Sequence, residues 1–266
     1  MLYGAFIGDM IGVPYEFISN KNKDVSLWTS HTRFSDDSVM TMAVADAVLK
    51  TMDQSEDSVK ISVVHSMRHY GAMYPFAGYG NGFKTWLRRT DPKPYNSYGN
   101  GSAMRVSSVG WLYNDLDKVE EVAKWTAEVT HNHPEGIKGA QATAAAIYLA
   151  RMGKSKEQIK QYITDKYGYN LDRTCDEIRP NYQFNETCQE TVPEAIICFL
   201  DGKDFEDVIR NAISLGGDAD TAACIAGSIA EGYFSIPEDW IDLCNERLDQ
   251  NFRDILRKCF TYVNNK

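Results

Sequence analysis

The helical spacing of the apolar residues constrains the fold more than any other feature of this sequence. Apolar side chains recur every three or four positions through most of the 266 residues. The alternation of apolar and polar residues that marks a half-buried strand is nearly absent. The spacing therefore predicts an all-α protein. The segments that show it are 36–51, 56–73, 117–130, 135–152, 191–200, 204–214, 219–233 and 240–262.

Three predicted helices are rich in small residues. Gly4, Gly8 and Gly12 lie four positions apart, on one face of a helix near the start of the chain. A glycine inside a helix costs about 1 kcal/mol relative to alanine, so we expect a compensating gain from the close approach of a neighbouring helix. Segments 139–150 and 219–230 are apolar on most sides, which is typical of helices at the centre of a bundle.

Charge and composition exclude several classes of protein. The formal net charge of -9 disfavours binding to a nucleic-acid backbone, which requires a positive field. The six cysteines form no CxxC pair and lie mostly among apolar residues, so we expect buried free thiols in a reducing compartment. The sequence shows no signal-type segment and no run of about 18 apolar residues. We therefore expect a cytoplasmic protein, and one domain over residues 1–266, because no segment resembles a linker.

Two long stretches interrupt the helical spacing. Residues 74–102 are dense in Gly, Pro, Tyr and Asn, and residues 168–190 are polar with scattered aromatic side chains. Loops of this length are uncommon in compact domains and often line a binding site. Ordinary surface connections, with a short helix at 83–89, are an equally acceptable interpretation.

The strongest chemical signal is a pair of acidic helix starts. Such residues are good helix caps, and either start taken alone is more often a cap than a cation site. Capping needs one oxygen, however, whereas each start offers two carboxylates and at least one hydroxyl. The residues are Ser35, Asp36, Asp37 and Ser38 at the first start, and Asp218, Asp220 and Thr221 at the second.

Burial of these carboxylates would require compensating charge. The second helix is apolar on most sides, so its start is expected to be buried, and buried ionised carboxylates are costly without a partner. Neither motif contains Lys or Arg, whereas hard divalent cations prefer carboxylate and hydroxyl oxygens. Neither motif contains the His or Cys ligands that are typical of zinc. If the two starts face each other, the pocket suits two cations that activate a water.

The two motifs, S-D-D-S and G-G-D-A-D-T, resemble the double aspartate signature of the ADP-ribosylglycohydrolase family, which includes the dinitrogenase reductase-activating glycohydrolases. The resemblance extends from G-A-F-I-G-D-M-I-G-V-P-Y-E-F at the start to Y-F-S-I-P after the second motif. G-N-G-S-A-M-R and T-H-N-H-P-E-G-I-K-G-A are supporting matches in the same order. The resemblance implies a compact orthogonal helical bundle with a dinuclear metal site at its centre.

The resemblance also implies roles for individual residues. Two Mg²⁺ or Mn²⁺ ions are expected to bind Ser35, Asp36, Asp37, Asp218, Asp220 and Thr221. Glu16, Asp36 and Asp37 are the expected catalytic residues, with one of the two aspartates taking a proton from water. Asn100, Gly101 and Ser102 are expected to receive the diphosphate, and His131 to contact the nucleotide. Without the family match, Glu16 is better interpreted as a solvated loop residue. Ser35 and Ser38 stand where the family commonly has threonine, a change that keeps the hydroxyl.

The expected reaction is hydrolysis of the glycosidic bond of ADP-ribose attached to a protein side chain or a small molecule. Arginine linkage is favoured by family analogy alone. Two alternatives stay open: a metal-dependent hydrolase that cleaves another nucleotide bond, and a non-catalytic ADP-ribose-binding protein. No long exposed apolar stripe demands a partner subunit, so a monomer is expected.

Overall fold

α-Helices account for almost all of the regular structure in residues 1–265, the part of the chain that the computed structural model describes. Within these residues, strand-like pairing is limited to one isolated bridge between Gly99 and Thr187. The predicted all-α class is confirmed. The helices are α1 (Tyr3–Gly12), α2 (Asp36–Lys50), α3 (Glu56–Met73), α4 (Asn81–Arg88), α5 (Gly101–Met104), α6 (Ser107–Leu112), α7 (Leu116–Glu128), α8 (Pro134–Arg151), α9 (Lys156–Tyr167), α10 (Cys175–Ile178), α11 (Cys188–Asp201), α12 (Phe205–Leu215), α13 (Ala219–Glu231), α14 (Glu238–Arg247) and α15 (Gln250–Asn264).

Helix α13 lies at the centre of the protein. Every residue from Ala219 to Ala230 is buried, and α13 packs against α1, α8, α11 and α12. The apolar residues of these helices belong to one continuous core. The predicted central position of segment 219–230 is therefore confirmed, as is the burial of the helix start that carries the second acidic motif.

The glycine ridge of α1 packs directly against the backbone of α13. A methyl group added at Gly8 would overlap the carbonyl of Ala223, and one added at Gly4 would overlap the carbonyl of Gly227. At Gly12 it would collide with the backbone of Asp220. The predicted close approach is confirmed, and it fixes the end of α1 against the start of α13.

The two long loops lie beside each other. The backbone N–H of Asn100 donates to the carbonyl of Glu186 at 2.8 Å, and the N–H of Cys188 donates to the carbonyl of Tyr98 at 2.9 Å. The first loop contains α4, close to the short helix predicted at 83–89. The second contains the one-turn helix α10 and ends in the first turn of α11.

Two differences from the predicted helices have clear physical causes. The predicted helix 240–262 is two helices, because Leu248 is extended and Asp249 caps α15 by accepting the N–H groups of Asn251 and Phe252. Helix α9 was not predicted. Only its Ile159 and Ile163 are buried, so a local capping box identifies it better than apolar spacing does.

The described thiols and helices also bear on the compositional predictions. All six cysteines are free and buried, as predicted. In residues 1–265 no helix combines the length and the apolar character that crossing a bilayer requires.

Substitution of Gly8 by Ala tests the α1–α13 contact. The added methyl group overlaps backbone rather than a movable side chain, so the overpacking cost outweighs the gain in helix propensity. We expect the free energy of unfolding to fall by about 1–3 kcal/mol, measured by urea denaturation. Gly80→Ala is the matched control, because nothing lies within 4 Å of the added methyl group. An unchanged stability of Gly8→Ala would contradict the proposed role of the ridge.

Candidate active site

The two acidic helix starts face the same cleft, which meets the condition that the sequence analysis set for a cation site. The cleft has a volume of about 590 Å³, within the ordinary range of small-molecule sites. The starts of α2 and α13 lie on one side of it, and the two long loops form other parts of its wall. Of the predicted site residues, those that line the cleft are Glu16, Asp36, Asp37, Asn100, Gly101, His131, Asp218, Asp220 and Thr221.

Five carboxylates form two overlapping groups. Oxygens of Asp9, Asp37 and Asp220 all lie within 4.8 Å of one another, and so do oxygens of Glu16, Asp218 and Asp220. Asp220 belongs to both groups, and half-buried Asp36 lies beside them at the start of α2. We call these six residues the acidic cluster. Two groups of oxygens that share one carboxylate are an arrangement that can hold divalent cations.

Asp9 is the member of the cluster that the motif analysis missed. It is fully buried in α1, and its carboxylate accepts the N–H of Ser35 at 2.9 Å and the N–H of Ser38 at 3.1 Å. It also accepts the hydroxyl of Ser35 at 2.6 Å and the hydroxyl of Ser38. These bonds hold the start of α2 against α1. One signal could have revealed this residue, because Asp9 is the single residue of α1 that carries a charge at neutral pH.

The acidic cluster has no ion-paired positive charge from the protein, and only the more distant charge of Arg33 acts favourably on Glu16. In the part of the chain that the structure describes, no Lys or Arg forms an ion pair with any of the six carboxylates. Burial, together with the neighbouring carboxylates, raises the pKa of Asp36 to about 8 and that of Glu16 to about 7. The same two causes raise the pKa of Asp37 and Asp220 well above the ordinary range.

One atom in the cluster is buried without any partner. Oδ1 of Asp37 accepts no hydrogen bond and is hidden from solvent. An orphaned anionic oxygen of this kind is costly unless something compensates it. Together with the absence of zinc-type ligands from the cluster, it fits the oxygen-only site that a hard divalent cation requires.

The two hydroxyl residues of the motifs differ in how they are used. Ser35 caps α2, its Oγ donates to Asp9 at 2.6 Å and lies 3.3 Å from Oδ2 of Asp37. Its hydroxyl is therefore occupied in ordering the carboxylates. Thr221 lines the cleft beside Asp220, and its backbone N–H donates to Oδ1 of Asp220 at 2.9 Å. Direct ligation of a cation by either hydroxyl stays a prediction.

The predicted diphosphate loop divides into residues that reach the cleft and one that does not. The side-chain amide of Asn100 donates to Oδ2 of Asp218 at 2.7 Å and to Thr191 at 3.1 Å, so it positions Asp218. Gly101 lines the cleft. Ser102 is fully buried, and its hydroxyl donates to the carbonyl of Gly136 at 2.7 Å. The Ser102 side chain therefore joins α5 to α8 and does not line the cleft.

His131 is held by a short chain of hydrogen bonds. Buried Arg105 donates to Oγ1 of Thr130 at 2.8 Å, and that oxygen lies 2.7 Å from Nδ1 of His131. The Thr130 hydroxyl is therefore held between the guanidinium of Arg105 and the imidazole, and it fixes the orientation of the ring. Nε2 faces the loop at Gly99 and Gly101. Burial and the charge of Arg105 lower the pKa of His131 well below its usual range.

Comparisons with known proteins identify the class to which this helical fold and carboxylate-lined cleft belong. The sequence profile of the ADP-ribosylglycohydrolase family matches residues 1–264. A solved structure described as an ADP-ribosylglycohydrolase-related protein complex shares the fold, with a TM-score of 0.67, 19% identity, and coverage of 99% of this chain and 96% of that chain.

Individual relatives agree with the profile. The human protein named ADP-ribosylhydrolase ARH3 is 27% identical over 91% of this chain and 87% of its own length. The protein of Pseudomonas putida named ADP-ribosylarginine hydrolase Tri1 is 23% identical over 91% of this chain and 72% of its own length. The chain belongs to the ADP-ribosylglycohydrolase family. It is accordingly a glycohydrolase, an enzyme.

Replacement of Asp220 by Asn separates the electrostatic cost of the acidic cluster to stability from its ability to bind cations. Because the pKa of Asp220 is raised in the folded protein, its ionised form opposes folding at pH values above the ordinary carboxyl pKa. At pH 7 without metal, we expect Asp220→Asn to increase the free energy of unfolding, and the melting temperature should rise by about 2–4 °C for each kcal/mol of that increase. We also expect it to lose the stabilisation by Mg²⁺ or Mn²⁺, which for a single site at 100 times the Kd amounts to about 2.7 kcal/mol.

The matched control is Asp46→Asn. Asp46 is also buried, but Lys50 lies 2.6 Å away and Ser66 donates to it at 2.9 Å. Its neutralisation should lower the melting temperature and leave the cation response unchanged. A lower metal-free melting temperature for Asp220→Asn would show that the cluster is not under electrostatic strain.

The Arg105–Thr130–His131 chain predicts a pH response. The pKa of His131 in the folded protein lies below its ordinary value, so the unfolded chain binds a proton at this residue more readily than the folded protein does. The stabilisation from neutral His131 is therefore complete above pH 6.5 and is lost as the pH falls. NMR of the imidazole should show a ring that stays neutral as the pH falls below 6.5. Thr130→Val should remove about 1–3 kcal/mol from the free energy of unfolding by leaving a buried donor unpaired, and Thr130→Ser should retain it. A ring that becomes charged near pH 6.5 would refute the assignment.

Proposed function

We propose that this enzyme hydrolyses the glycosidic bond that joins ADP-ribose to a protein side chain, in a reaction that depends on two divalent cations. The observation that carries the proposal is the acidic cluster, whose six carboxylates meet at the facing helix starts without a positive partner from the protein. The family of the chain supplies the substrate class. The names of the relatives from human and Pseudomonas putida support it.

The proposed cation site is oxygen-only. Its proposed ligands are Ser35, Asp36, Asp37, Asp218, Asp220 and Thr221, and the groups that the structure adds are the carboxylates of Asp9 and Glu16. When bound, Mg²⁺ or Mn²⁺ would lower the pKa of a water and hold oxygens of the substrate. Since Asp9 already accepts four hydrogen bonds, its main contribution is to fix Ser35 and Ser38.

The rest of the cleft is suited to binding the nucleotide part. Gly99 and Gly101 allow close approach of the backbone to an anionic group. The lowered pKa of His131 favours the neutral ring, which presents Nε2 to the same loop and can form a hydrogen bond there without carrying a charge. With the diphosphate received here, the distal ribose of ADP-ribose lies over the acidic cluster.

The carboxylates of the acidic cluster then stabilise charge and transfer protons at the reacting ribose. Cleavage at the anomeric carbon develops oxocarbenium character, which nearby carboxylates stabilise. Asp36 or Asp37 accepts the proton of the attacking water. Glu16 lies half-buried at the edge of the cluster, where it positions a ribose hydroxyl or transfers a proton. Asn100 holds Asp218 in place through its 2.7 Å bond.

Arginine-linked ADP-ribose is the first linkage to test, because the Pseudomonas putida relative is named ADP-ribosylarginine hydrolase. Wild-type protein with Mg²⁺ or Mn²⁺ should release intact ADP-ribose from an arginine-modified protein, and EDTA should abolish the release. Asp218→Asn should lower kcat by at least 10²-fold, on the scale of other electrostatic catalytic groups. Its melting temperature and its binding of free ADP-ribose show whether the variant is folded.

The remaining outcomes distinguish the alternatives. Release from a serine-linked substrate alone would correct the linkage and keep the reaction. Products other than intact ADP-ribose would indicate a hydrolase of another nucleotide bond. Tight binding of ADP-ribose without release from either substrate would indicate a non-catalytic binding protein.

A further inference from the structure

A second groove adjoins the cleft on the far side of the acidic cluster. It has a volume of about 640 Å³, and we call it the acceptor groove. It shares Glu16, Phe17, Asp36, Gly78 and Asp220 with the cleft. The acidic cluster therefore lies at the junction of two depressions, of which only the first contains the diphosphate loop and His131.

The wall of the acceptor groove carries exposed apolar side chains. Phe76 is 98% exposed, Phe17 is 80% exposed and Met73 is 45% exposed, and all three line the groove. A large aromatic side chain left almost entirely in water, next to a cleft, indicates a surface that is covered by a partner.

The wall beneath these side chains is fixed. The rings of Phe34 and Tyr74 meet edge to face at 5.8 Å, and Phe34 packs against buried Phe252 at 4.8 Å. The hydroxyl of Tyr74 donates to Asp249 at 2.5 Å and accepts from Asn251 at 2.9 Å. The groove is thus formed before anything binds, which lowers the entropic cost of binding.

Two arginines give the groove a positive edge. Arg33 donates to the backbone carbonyl of His31 at 3.4 Å. Arg247 donates to the carbonyl of Leu243 and lies over the ring of Trp28, with Glu246 no closer than 3.9 Å. Arg33 forms no ion pair in the described residues, although its charge acts on Glu16, and the contact of Arg247 with Glu246 is long, so both guanidiniums can bind a negative group on a partner.

We propose that the acceptor groove binds the polypeptide that carries ADP-ribose, with an apolar side chain against Phe76 and a carboxylate side chain beside Arg33 and Arg247. The inference rests on the proposed function. If ADP-ribose fills the cleft from the diphosphate loop to the acidic cluster, the scissile bond lies at the junction. The groove is the space that begins there, so the modified side chain and its neighbours continue into it.

Two substrates that share one linkage test the proposal. One is a modified peptide with Asp or Glu next to the modified residue, and the other is the same ADP-ribosylated amino acid without a peptide. For Phe76→Ala, we expect kcat/KM on the peptide to fall roughly tenfold, the scale of a truncated interface aromatic. On the free amino acid conjugate we expect no change. Phe260→Ala, which removes a 62% exposed aromatic from α15, is the matched control and should change neither value.

Charge reversal gives an independent readout. With wild type, replacing the acidic neighbour in the peptide by Lys should lower kcat/KM severalfold. Arg33→Glu should remove or invert that preference, and should do so less at high salt. Because Phe76 is exposed, Phe76→Ala should keep the melting temperature of the wild type. Arg33→Glu places a negative charge near Glu16, so the neighbour preference is measured as the ratio of kcat/KM for the two peptides, in which a common loss of activity cancels.

The outcomes separate the two proposals. If wild type hydrolyses both substrates and Phe76→Ala affects both equally or neither, the acceptor groove is refuted and the proposed function stands. If wild type hydrolyses neither substrate in either linkage, the proposed function fails and the inference fails with it. An unchanged neighbour preference in Arg33→Glu would refute the electrostatic part.

Discussion

The contact between α1 and α13 is the constraint on which the site depends. Side chains at Gly4, Gly8 or Gly12 would push the helices apart, because the opposing atoms belong to the backbone of α13. With hydrogen at these positions, the end of α1 reaches the start of α13, and Asp9 comes within bonding distance of α2. The carboxylates of three separate segments therefore meet because two backbones pack without side chains between them.

The acidic cluster lowers the stability of the protein without cations, in exchange for a group of carboxylates at the proposed active site. Burial of several carboxylates raises their pKa values, so the protein without cations carries a free-energy cost at neutral pH. The small-residue core around α13 and its one continuous apolar cluster offset that cost. A site of this kind stays in place only where the surrounding helices leave the carboxylates no room to separate, which is a common compromise at active sites.

Much of this arrangement could be predicted from local sequence. The features that could not be predicted depend mostly on contacts between residues that are distant in the sequence. The helix starts at Asp36 and Ala219, and the burial of the second, follow from composition within a few residues. Asp9 escaped because its partners, Ser35 and Ser38, lie 26 and 29 positions away. The bond from the Ser102 hydroxyl to Gly136 could not be predicted for the same reason, because its acceptor lies 34 positions along the chain. Spacing alone also could not show the break at Leu248, because α14 ends at an extended residue and Asp249 caps the start of α15 without a change in the apolar period.

The backbone hydrogen bonds between the two long loops affect how the cleft recognises a ligand. Backbone bonds from Asn100 to Glu186 and from Cys188 to Tyr98 join segments that would otherwise be free to move. The chain loses that conformational freedom when it folds, so a ligand does not have to order the loops when it arrives. A cleft built in this way should admit its ligand nearly as a rigid body, and selectivity should then come from rejecting molecules of the wrong shape rather than from closing around the right one.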